Sequence, residues 1–433
     1  MKTRRIIALA LAALMMVPLL ASCGDKTVGQ ETPAPATTTQ AAQTPKSEPT
    51  AEATAKPDSQ AKEPVTLRVW ESDGVEKQFI EKMAEAYMAE NQHVTIIVEP
   101  VGHTDAAQRI QLDGPAGVGA DVFAAPHDKL GEMLVSGLIL ENAYADQFKG
   151  SFVDAALSAT SSEGKLYGFP TAIETYALFY NKQLISTPPT TWKEIEEFAK
   201  TFNKPKNGLY ALSWDVGNAY FSYIFLSAFG ADLFGPDGTD KSQHMVNSPQ
   251  AIQGLTYFQN YRKQYLDVAQ ADLTGDFMNA GFQNGTIAMV ITGPWSISGY
   301  REAGVDFGVA PIPKFEGMTE PPASFSGIRA MYVSSFTDYP EEAQKFALYL
   351  TSKEALLKRY EITAQIPPRT DVQISDDAHA GILAQFEYSK PMPSIPAMNF
   401  YWPAMGSAYA NIWNGNDIQS ELDTAAAAIE AAQ

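Results

Sequence analysis

The sequence predicts an α/β fold with a largely parallel sheet. "VTLRVW", which begins at Val65, has a strand pattern, and "VEKQFIEKMAEAYMAEN" after it repeats apolar residues at helical spacing. "VTIIVEP" and "ADVFAA" are predicted to be further strands, and "KLGEMLVSG" is predicted to be a short helix that ends at Gly137. Strands and helices that alternate in this way are typical of sheets covered by helices.

A second series of elements begins near residue 172 with "AIETYALFYN". "PPTTWKEIEEFAKTF" predicts a helix opened by a capping box, Thr191 with Glu194, and "PQAIQGLTYFQNYRKQY" predicts an amphipathic helix. "TIAMVITGPW" and "FGVAPIP" are predicted strands. After the Pro- and Gly-rich "GMTEPPASFSG", we expect a strand in "IRAMYVSS" and one helix in "YPEEAQKFALYLTSKEALLKRY". At 433 residues the chain is long enough for two or three domains of roughly 150 residues each.

The N-terminus "MKTRRIIALALAALMMVPLLASC" is typical of a secretory signal peptide, with basic residues, an apolar run and small residues before Cys23. A transmembrane helix is the weaker alternative because Pro18 interrupts the run. "LASC" resembles the lipobox of bacterial lipoproteins, in which the cysteine is lipidated and becomes the first residue. Cys23 is the only cysteine in the sequence, which excludes a disulfide within the monomer. We therefore predict a signal peptide at residues 1–22 and a protein anchored outside the cell membrane by lipidated Cys23.

Residues 23–64 hold no aromatic and few branched aliphatic side chains, so this segment is predicted to be a disordered linker. The whole chain carries 50 acidic against 31 basic residues, a net charge of -19, which disfavours nucleic acid as a partner. It contains no HExxH, Walker or GxSxG motif and no histidines at metal-ligand spacing. We predict no catalytic residue, metal or cofactor. A glycosidase stays open as an alternative, since its carboxylate pair leaves no sequence spacing.

Four tryptophans lie beside turn residues where predicted strands end: Trp70, Trp214, Trp295 and Trp402. Ligands of open α/β sheets bind beyond the carboxyl ends of strands, where such rings project into a cleft. A flat ring suits the C–H face of a pyranose, and carboxylates accept hydrogen bonds from sugar hydroxyls. Core packing is an equally open alternative for each ring. Pro403, after "NFYW", is predicted to be the first residue of a helix.

From Val65 to the C-terminus the chain resembles the family 1 extracellular solute-binding proteins of ABC transporters, and most closely those that bind maltose and maltodextrins. The matching stretches, in chain order, are "LRVWESDG", "DVFAAPHDKLGEMLVSGLI", "GKLYGFPTAIETYALFYNKQLI", "PPTTWKEI", "GFQNGTIAMVITGPW", "FGVAPIPKFEG" and "PMPSIPAMNFYW". The resemblance implies a two-lobe periplasmic-binding-protein-like fold of type II, with a sugar cleft between lobes that are joined by hinge crossovers.

The resemblance also implies where the lobes lie and what they do. The expected N-terminal lobe comprises residues 65–172 and 325–373, and the expected C-terminal lobe residues 173–312 and 378–433. The implied function is that of a monomeric substrate-binding component of an ABC carbohydrate importer, which binds maltose or maltodextrin-type oligosaccharides, hands them to a membrane permease and is not an enzyme. The alternatives are a binder of a differently linked oligosaccharide such as a galacto- or xylo-oligosaccharide, a surface-tethered glycosidase, and an adhesive surface protein.

Matching the family's motifs residue by residue implies a set of sugar contacts. The implied contacts are Asp73, with Glu71 as second choice, Asp128, Glu174, Tyr220, Trp295 and Trp402, with Trp214 and Asn218 as possible additions. The chain also departs from enterobacterial-type maltose binders, since Ala125 replaces a tryptophan, Asn218 a glutamate and Gly406 an arginine. These departures bear on the ligand and not on the fold.

Overall fold

The structure is a computed structural model that describes residues 63–236 and 238–431. The predicted signal peptide, Cys23 and the predicted linker up to residue 62 lie outside the described residues. The strands are β1 (Val65–Glu71), β2 (Val94–Pro100), β3 (Val122–Pro126), β4 (Ser161–Ser162), β5 (Lys165–Leu166), β6 (Phe169–Thr175), β7 (Ala177–Asn181), β8 (Tyr210–Ser213), β9 (Ile287–Thr292), β10 (Phe307–Ala310), β11 (Phe325–Val333) and β12 (Lys390–Pro391).

Helices connect and cover these strands. They are α1 (Val75–Glu90), α2 (Ala106–Asp113), α3 (Leu130–Val135), α4 (Asp154–Ala159), α5 (Trp192–Phe202), α6 (Ala219–Ser227), α7 (Pro249–Tyr265), α8 (Gly275–Gln283), α9 (Ile297–Glu302), α10 (Pro340–Tyr349), α11 (Lys353–Thr363), α12 (Asp377–Phe386), α13 (Met398–Trp413) and α14 (Ile418–Glu430). Short 3₁₀ turns follow β3, at His127–Lys129, and β9, at Pro294–Ser296. Within residues 63–236 and 238–431, no helix is both long and apolar enough to cross a membrane.

The first sheet has the strand order β12-β11-β3-β1-β2, with β6 also paired to β11. Strand β1 is parallel to β2 and β3, whereas β11 is antiparallel to both β3 and β6. The expectation of a largely parallel sheet is therefore wrong, and the sheet is mixed. Two consecutive parallel strands are joined by a crossover connection within their own sheet. Strand β11 does not follow this pattern, because the chain forms β7 to β10 in a second sheet before it returns to the first as β11.

Both faces of the first sheet are buried by helices. Along β3, Val122 and Ala124 face one apolar core, whereas Phe123 and Ala125 face another, as the two-residue period of a strand requires. The first core includes side chains of α1, α10 and α11, and the second core includes side chains of α2 and α3. We call this sheet with its helices the first lobe.

The second sheet has the strand order β10-β7-β9-β8, in which only β8 and β9 are parallel. Its core contains side chains of α5 to α8, α13 and α14, and three fully buried tryptophans, Trp192, Trp214 and Trp413. We call this sheet with its helices the second lobe. The residue boundaries predicted for the two lobes remain predictions. Strand β12 pairs with β11 of the first sheet, where Lys390 and Met392 donate backbone hydrogen bonds to Ser324 and Ser326.

Helix ends follow local capping chemistry. The predicted capping box is confirmed: Glu194 N donates to Thr191 Oγ1, and Thr191 N donates to Glu194 Oε2. The single helix predicted after "IRAMYVSS" is wrong, because Ser352 accepts a bond from Ala355 N and so begins a new helix, α11. The start predicted at Pro403 is also wrong. Helix α13 begins five residues earlier, and Pro403 lies inside it.

Helices α6 and α7 pack at very close range, which gives a test of the second lobe. A Cβ atom on Gly254 would lie 1.7 Å from the backbone oxygen of Phe225, so Gly254→Ala must push the two helices apart. We expect a loss of about 1–3 kcal/mol in the free energy of unfolding, measured by urea denaturation. The control is Gly275→Ala at the start of α8, where a Cβ meets no atom within 4 Å. An equal loss in both variants would contradict this packing.

Candidate functional site

A cavity of about 850 Å³ lies between the two lobes. In the first lobe it is lined by the segments that follow β1 and β3, and in the second lobe by the segments that follow β8 and β9 and by α13. These strand ends are where open α/β sheets place ligands, because chain direction brings several loops to one edge. The volume lies within the usual range for small-molecule sites.

The first-lobe wall carries polar and charged side chains, namely Asp73, His103, Asp128 and Lys129. Asp73 is exposed in the turn after β1, whereas Asp128 is only 4% exposed, in the 3₁₀ turn after β3. Asp128 Oδ2 accepts a hydrogen bond from Trp402 Nε1 at 3.0 Å, while its buried Oδ1 has no hydrogen-bond partner. The carboxylate of Asp73 is therefore open to the cavity, whereas Asp128 lines it with one oxygen bonded to Trp402 and the other buried.

His103 is held neutral beside these acids. Burial, together with the charges of Arg329 and Arg359, keeps the pKa of His103 well below its usual range. Its backbone N–H donates to Ser72 Oγ at 3.1 Å, and its Nδ1 lies 3.0 Å from the same oxygen. A neutral imidazole in this position can both accept and donate hydrogen bonds.

The second-lobe wall is aromatic and consists of Tyr220, Phe221, Trp295 and Trp402. The rings of Tyr220 and Trp295 are 6.4 Å apart, and those of Phe221 and Trp295 are 6.2 Å apart. Trp295 folds back over Gly293, where a Cβ atom would lie 2.1 Å from its ring, so the "TGPW" turn needs glycine at that position. Burial, with the nearby charges of Glu174 and Asp128, raises the pKa of Tyr220 well above its usual range, so its hydroxyl stays protonated.

A buried charged cluster lies beneath the cavity and contains Glu71, Glu76, Glu174, Arg329 and Arg359. Arg329 Nη1 lies 3.1 Å from Glu71 Oε1 and 3.6 Å from Glu76 Oε1, and Arg329 Nε lies 3.2 Å from Glu174 Oε1. Gln365 Nε2 donates to both Glu76 and Glu174. The cluster thus joins the ends of β1 and β6, the middle of β11 and the start of α1.

The pKa values of Glu174 and Arg329 are both raised, but for different reasons. Burial raises the pKa of Glu174, and the positive charges of Arg329 and Arg359 oppose that rise. Burial acts to lower the pKa of Arg329, but Glu71, Glu174 and Glu76 more than offset it, and the pKa is raised. The Arg329 guanidinium is therefore charged throughout the physiological range.

The structure brings most of the predicted contacts together. The predicted residues that line the cavity are Asp73, Asp128, Glu174, Tyr220, Trp295, Trp402 and Asn218. Asn218 also caps α6, since its Oδ1 accepts from Tyr220 N. Their roles toward a ligand remain predictions.

Two predicted contacts are corrected by their surroundings. Glu71 is fully buried and paired with Arg329, and it does not line the cavity. Trp214 is fully buried as well: its Nε1 donates to Ser222 Oγ, and its ring stacks on Phe225 in the second-lobe core. Trp70, at the end of β1, is also core, with its Nε1 bonded to Glu99. The indole N–H groups of Trp70 and Trp214 both donate hydrogen bonds within the protein, so neither group requires an acceptor from a ligand.

Sequence reasoning missed several residues of the site: His103, Lys129, Arg329 and Gln365. Lys129 could have been predicted from the sequence, because it directly follows the predicted contact Asp128 in the same loop. Arg329 and Gln365 lie far along the chain from their partners, and only tertiary structure reveals the pairing. In the part of the chain that the structure describes, no group of three or more His, Asp or Glu side chains is placed to hold a metal ion.

The sequence is similar to that of known proteins. A profile of the family described as bacterial extracellular solute-binding protein matches residues 82–384. The chain is 30% identical over 376 residues to the galactooligosaccharide-binding protein of Bacillus subtilis, covering 83% of this chain and 87% of that protein. It is 28% identical over 384 residues to a maltooligosaccharide ABC transporter solute-binding lipoprotein of Streptococcus pneumoniae, covering 86% and 90%.

The fold also matches that of a solved sugar complex. The structure is similar to that of a cyclo/maltodextrin-binding protein complexed with maltotetraose, with a TM-score of 0.71 and 35% sequence identity. The match covers 86% of this chain and 98% of the other. This likeness confirms the two-lobe fold class that the sequence predicts.

The charged cluster can be tested through Arg329. Replacing it by methionine leaves Glu71 fully buried, with Arg359 as its remaining cation at 3.6 Å. Because an uncompensated buried charge is costly, we expect a loss of about 3–5 kcal/mol in the free energy of unfolding in urea.

The matched control is Arg68→Met on β1, whose ion pair with Glu99 has side chains 42% and 36% exposed. An exposed pair contributes about 1 kcal/mol or less, so this variant is expected to unfold near the wild-type midpoint. Equal effects in the two variants would show that the cluster is not a buried constraint.

Proposed function

Because the chain belongs to the bacterial extracellular solute-binding protein family, we propose that it is the substrate-binding component of an ABC carbohydrate importer and that it binds α-glucan oligosaccharides. The observation that carries this proposal is one cavity with two chemically different walls. Trp295 and Trp402 stand on the second lobe, and Asp73 and Asp128 stand on the first. Relatives that bind maltooligosaccharide and cyclo/maltodextrin support an α-glucan as the ligand.

Each wall matches one part of a glucosyl unit. The aromatic faces bury the C–H faces of the pyranose ring, which removes apolar surface from water. Carboxylate oxygens accept hydrogen bonds from the hydroxyls at the ring edge, each worth about 1.5–3 kcal/mol when the acceptor is charged. Glu174 lines the cavity between the walls, with Oε1 already engaged by Gln365 and Arg329. Its second oxygen is available to a hydroxyl.

Binding in such a site favours closure of the two lobes. A sugar that touches both walls gains contacts in a closed arrangement that an open arrangement does not provide, so it shifts the population toward closure. In this account the closed form is what a membrane permease recognises, and the protein itself performs no reaction. The family consists of binding proteins, which supports a non-catalytic role.

A galactooligosaccharide is the second candidate ligand. The Bacillus subtilis relative with this specificity covers 83% of the chain at 30% identity, so the comparisons favour it as well. Both ligands present ring faces and hydroxyl edges, and the two walls suit either one. Binding measurements with both classes of oligosaccharide are therefore needed to decide between the two ligands.

We further propose that the protein acts as a monomer outside the cell membrane, anchored through a lipid on Cys23. The lipobox-like "LASC" supports the anchor, as does the naming of the pneumococcal relative as a lipoprotein. We also propose that the lobe boundaries lie near those predicted from the sequence.

A thermal-shift panel tests the ligand. We expect maltotriose and longer maltodextrins to raise the melting temperature, whereas xylo-oligosaccharides do not. Ligand at 100 times its dissociation constant adds about 2.7 kcal/mol of stability. A shift with galacto-oligosaccharides alone would overturn the α-glucan assignment. New reducing ends released from maltotetraose would overturn the non-catalytic role.

The aromatic wall is tested by Trp402→Ala. Loss of a stacking ring is expected to weaken maltotriose binding by about tenfold or more, measured by titration calorimetry. The control is Phe400→Ala, two residues earlier on α13 and 41% exposed outside the cavity lining. Equal affinities of the two variants would remove Trp402 from the site.

The anchor is tested by Cys23→Ser in the full-length protein expressed in a bacterium that processes lipoproteins. We expect the variant to leave the membrane fraction for the soluble extracytoplasmic fraction, because the lipid acceptor is gone. A variant that stays bound to the membrane would refute lipidation as the anchor.

A further inference from the structure

We propose that His103 is a sugar-binding residue of the first-lobe wall, whose Nε2–H donates a hydrogen bond to a hydroxyl oxygen of the ligand. This inference rests on the proposed function and deepens it, because it adds a contact to the same site. A sugar hydroxyl both donates and accepts, whereas an ionised carboxylate such as that of Asp73 only accepts. A wall that offered acceptors alone would leave the hydroxyl oxygens without a donor.

The hydrogen bonds that hold His103 lie within the first lobe. His103 follows β2, and its backbone N–H donates to Ser72 Oγ at 3.1 Å, in the turn after β1. Ser72 N in turn donates to Glu71 Oε1 at 2.8 Å, and Ser72 Oγ lies 3.5 Å from Arg329 Nη2. Because these partners all belong to the first lobe, the position of the imidazole does not depend on closure.

The Ser72 hydroxyl determines which nitrogen of the ring carries the proton. Its oxygen accepts from His103 N and is approached by a donor of Arg329, so both of its lone pairs face donors. Its contact with His103 Nδ1, at 3.0 Å, then uses the hydroxyl proton. Burial and the charges of Arg329 and Arg359 keep the pKa of His103 low, so the ring is neutral. With Nδ1 as the acceptor, the proton of the neutral ring is on Nε2.

The Nε2–H group is left for a ligand. His103 is partly exposed and lines the cavity. Among residues 63–236 and 238–431 its Nε2 has no hydrogen-bond partner, and it is not one of the buried polar atoms without a partner, so solvent reaches it. Lys129 on the same wall differs, because its Nζ already donates to Asn399 at 2.7 Å. A sugar oxygen can therefore bind at His103 without breaking a hydrogen bond within the protein.

Histidine ¹⁵N resonances of the ligand-free protein test the tautomer. The sequence has five histidines, and His103→Gln identifies the His103 signals by their loss. We expect an unprotonated Nδ1 and a protonated Nε2. Ser72→Ala removes the hydroxyl proton and should populate the opposite tautomer, whereas Ser72→Thr keeps a hydroxyl and should keep the wild-type pattern. A protonated Nδ1 in the wild type, or an unchanged pattern in Ser72→Ala, would overturn the proposal.

Titration calorimetry with maltotriose tests the contact. We expect His103→Ala to weaken binding by about tenfold, because one hydrogen bond to the sugar is lost. His103→Gln, whose amide N–H can take the place of Nε2–H, should recover most of the affinity. The matched control is His93→Ala at the other end of β2 and outside the cavity lining, which should bind as the wild type does. Equal affinities of His103→Ala and the wild type would overturn the proposal.

Deoxy analogues of maltotriose, each lacking one hydroxyl, distinguish a direct contact from a change in fold. One analogue should bind the wild type about tenfold more weakly than maltotriose does, yet bind His103→Ala within about twofold of maltotriose. If every analogue loses the same affinity in both proteins, His103 does not contact a hydroxyl and the inference is wrong. If maltotriose does not bind even the wild type, the proposed function fails and this contact fails with it.

Discussion

The ion pairs of Arg329 are the constraint on which the site depends. A guanidinium only 2% exposed must be neutralised, and Arg329 meets Glu71 at the end of β1, Glu76 at the start of α1 and Glu174 on β6. The Arg329 side chain therefore fixes the positions of β1, α1 and β6 relative to one another. The segment with Asp73 lies between Glu71 and Glu76, so the buried charges position a part of the first-lobe wall that they do not themselves form.

The two walls above this cluster divide the work of recognition. Rings on the second lobe supply apolar surface, and carboxylates on the first lobe supply hydrogen-bond acceptors, so neither lobe alone presents a complete site. A ligand that needs both chemistries draws the lobes together. In the structure the two walls also touch directly, because Trp402 Nε1 donates a hydrogen bond to Asp128 Oδ2.

Local patterns in the sequence predicted six of the twelve strands in the described residues, the helix α1 and the capping box of α5, because periodicity and capping depend on neighbours along the chain. The motifs of the family resemblance also pointed to seven of the residues that line the cavity. Pairing between residues distant in sequence could not be predicted. Glu71 and Trp214 each follow or end a strand, where a ligand contact is expected, yet Glu71 pairs with Arg329 and Trp214 packs on Trp413. Pro403 misled for a different, local reason: backbone hydrogen bonds from Met398, Phe400 and Tyr401 begin the helical turns before it is reached. The antiparallel entry of β11 is set by chain topology, which strand patterns do not encode.

The most direct test of the account is a crystal structure of the protein with maltotriose. The account predicts pyranose faces stacked on Trp295 and Trp402, and sugar hydroxyls within hydrogen-bond distance of Asp73 and Asp128. It also predicts that Asp128 Oδ2 still accepts from the Trp402 indole. A sugar bound elsewhere, or one held by a single lobe with the opposite wall unengaged, would contradict it.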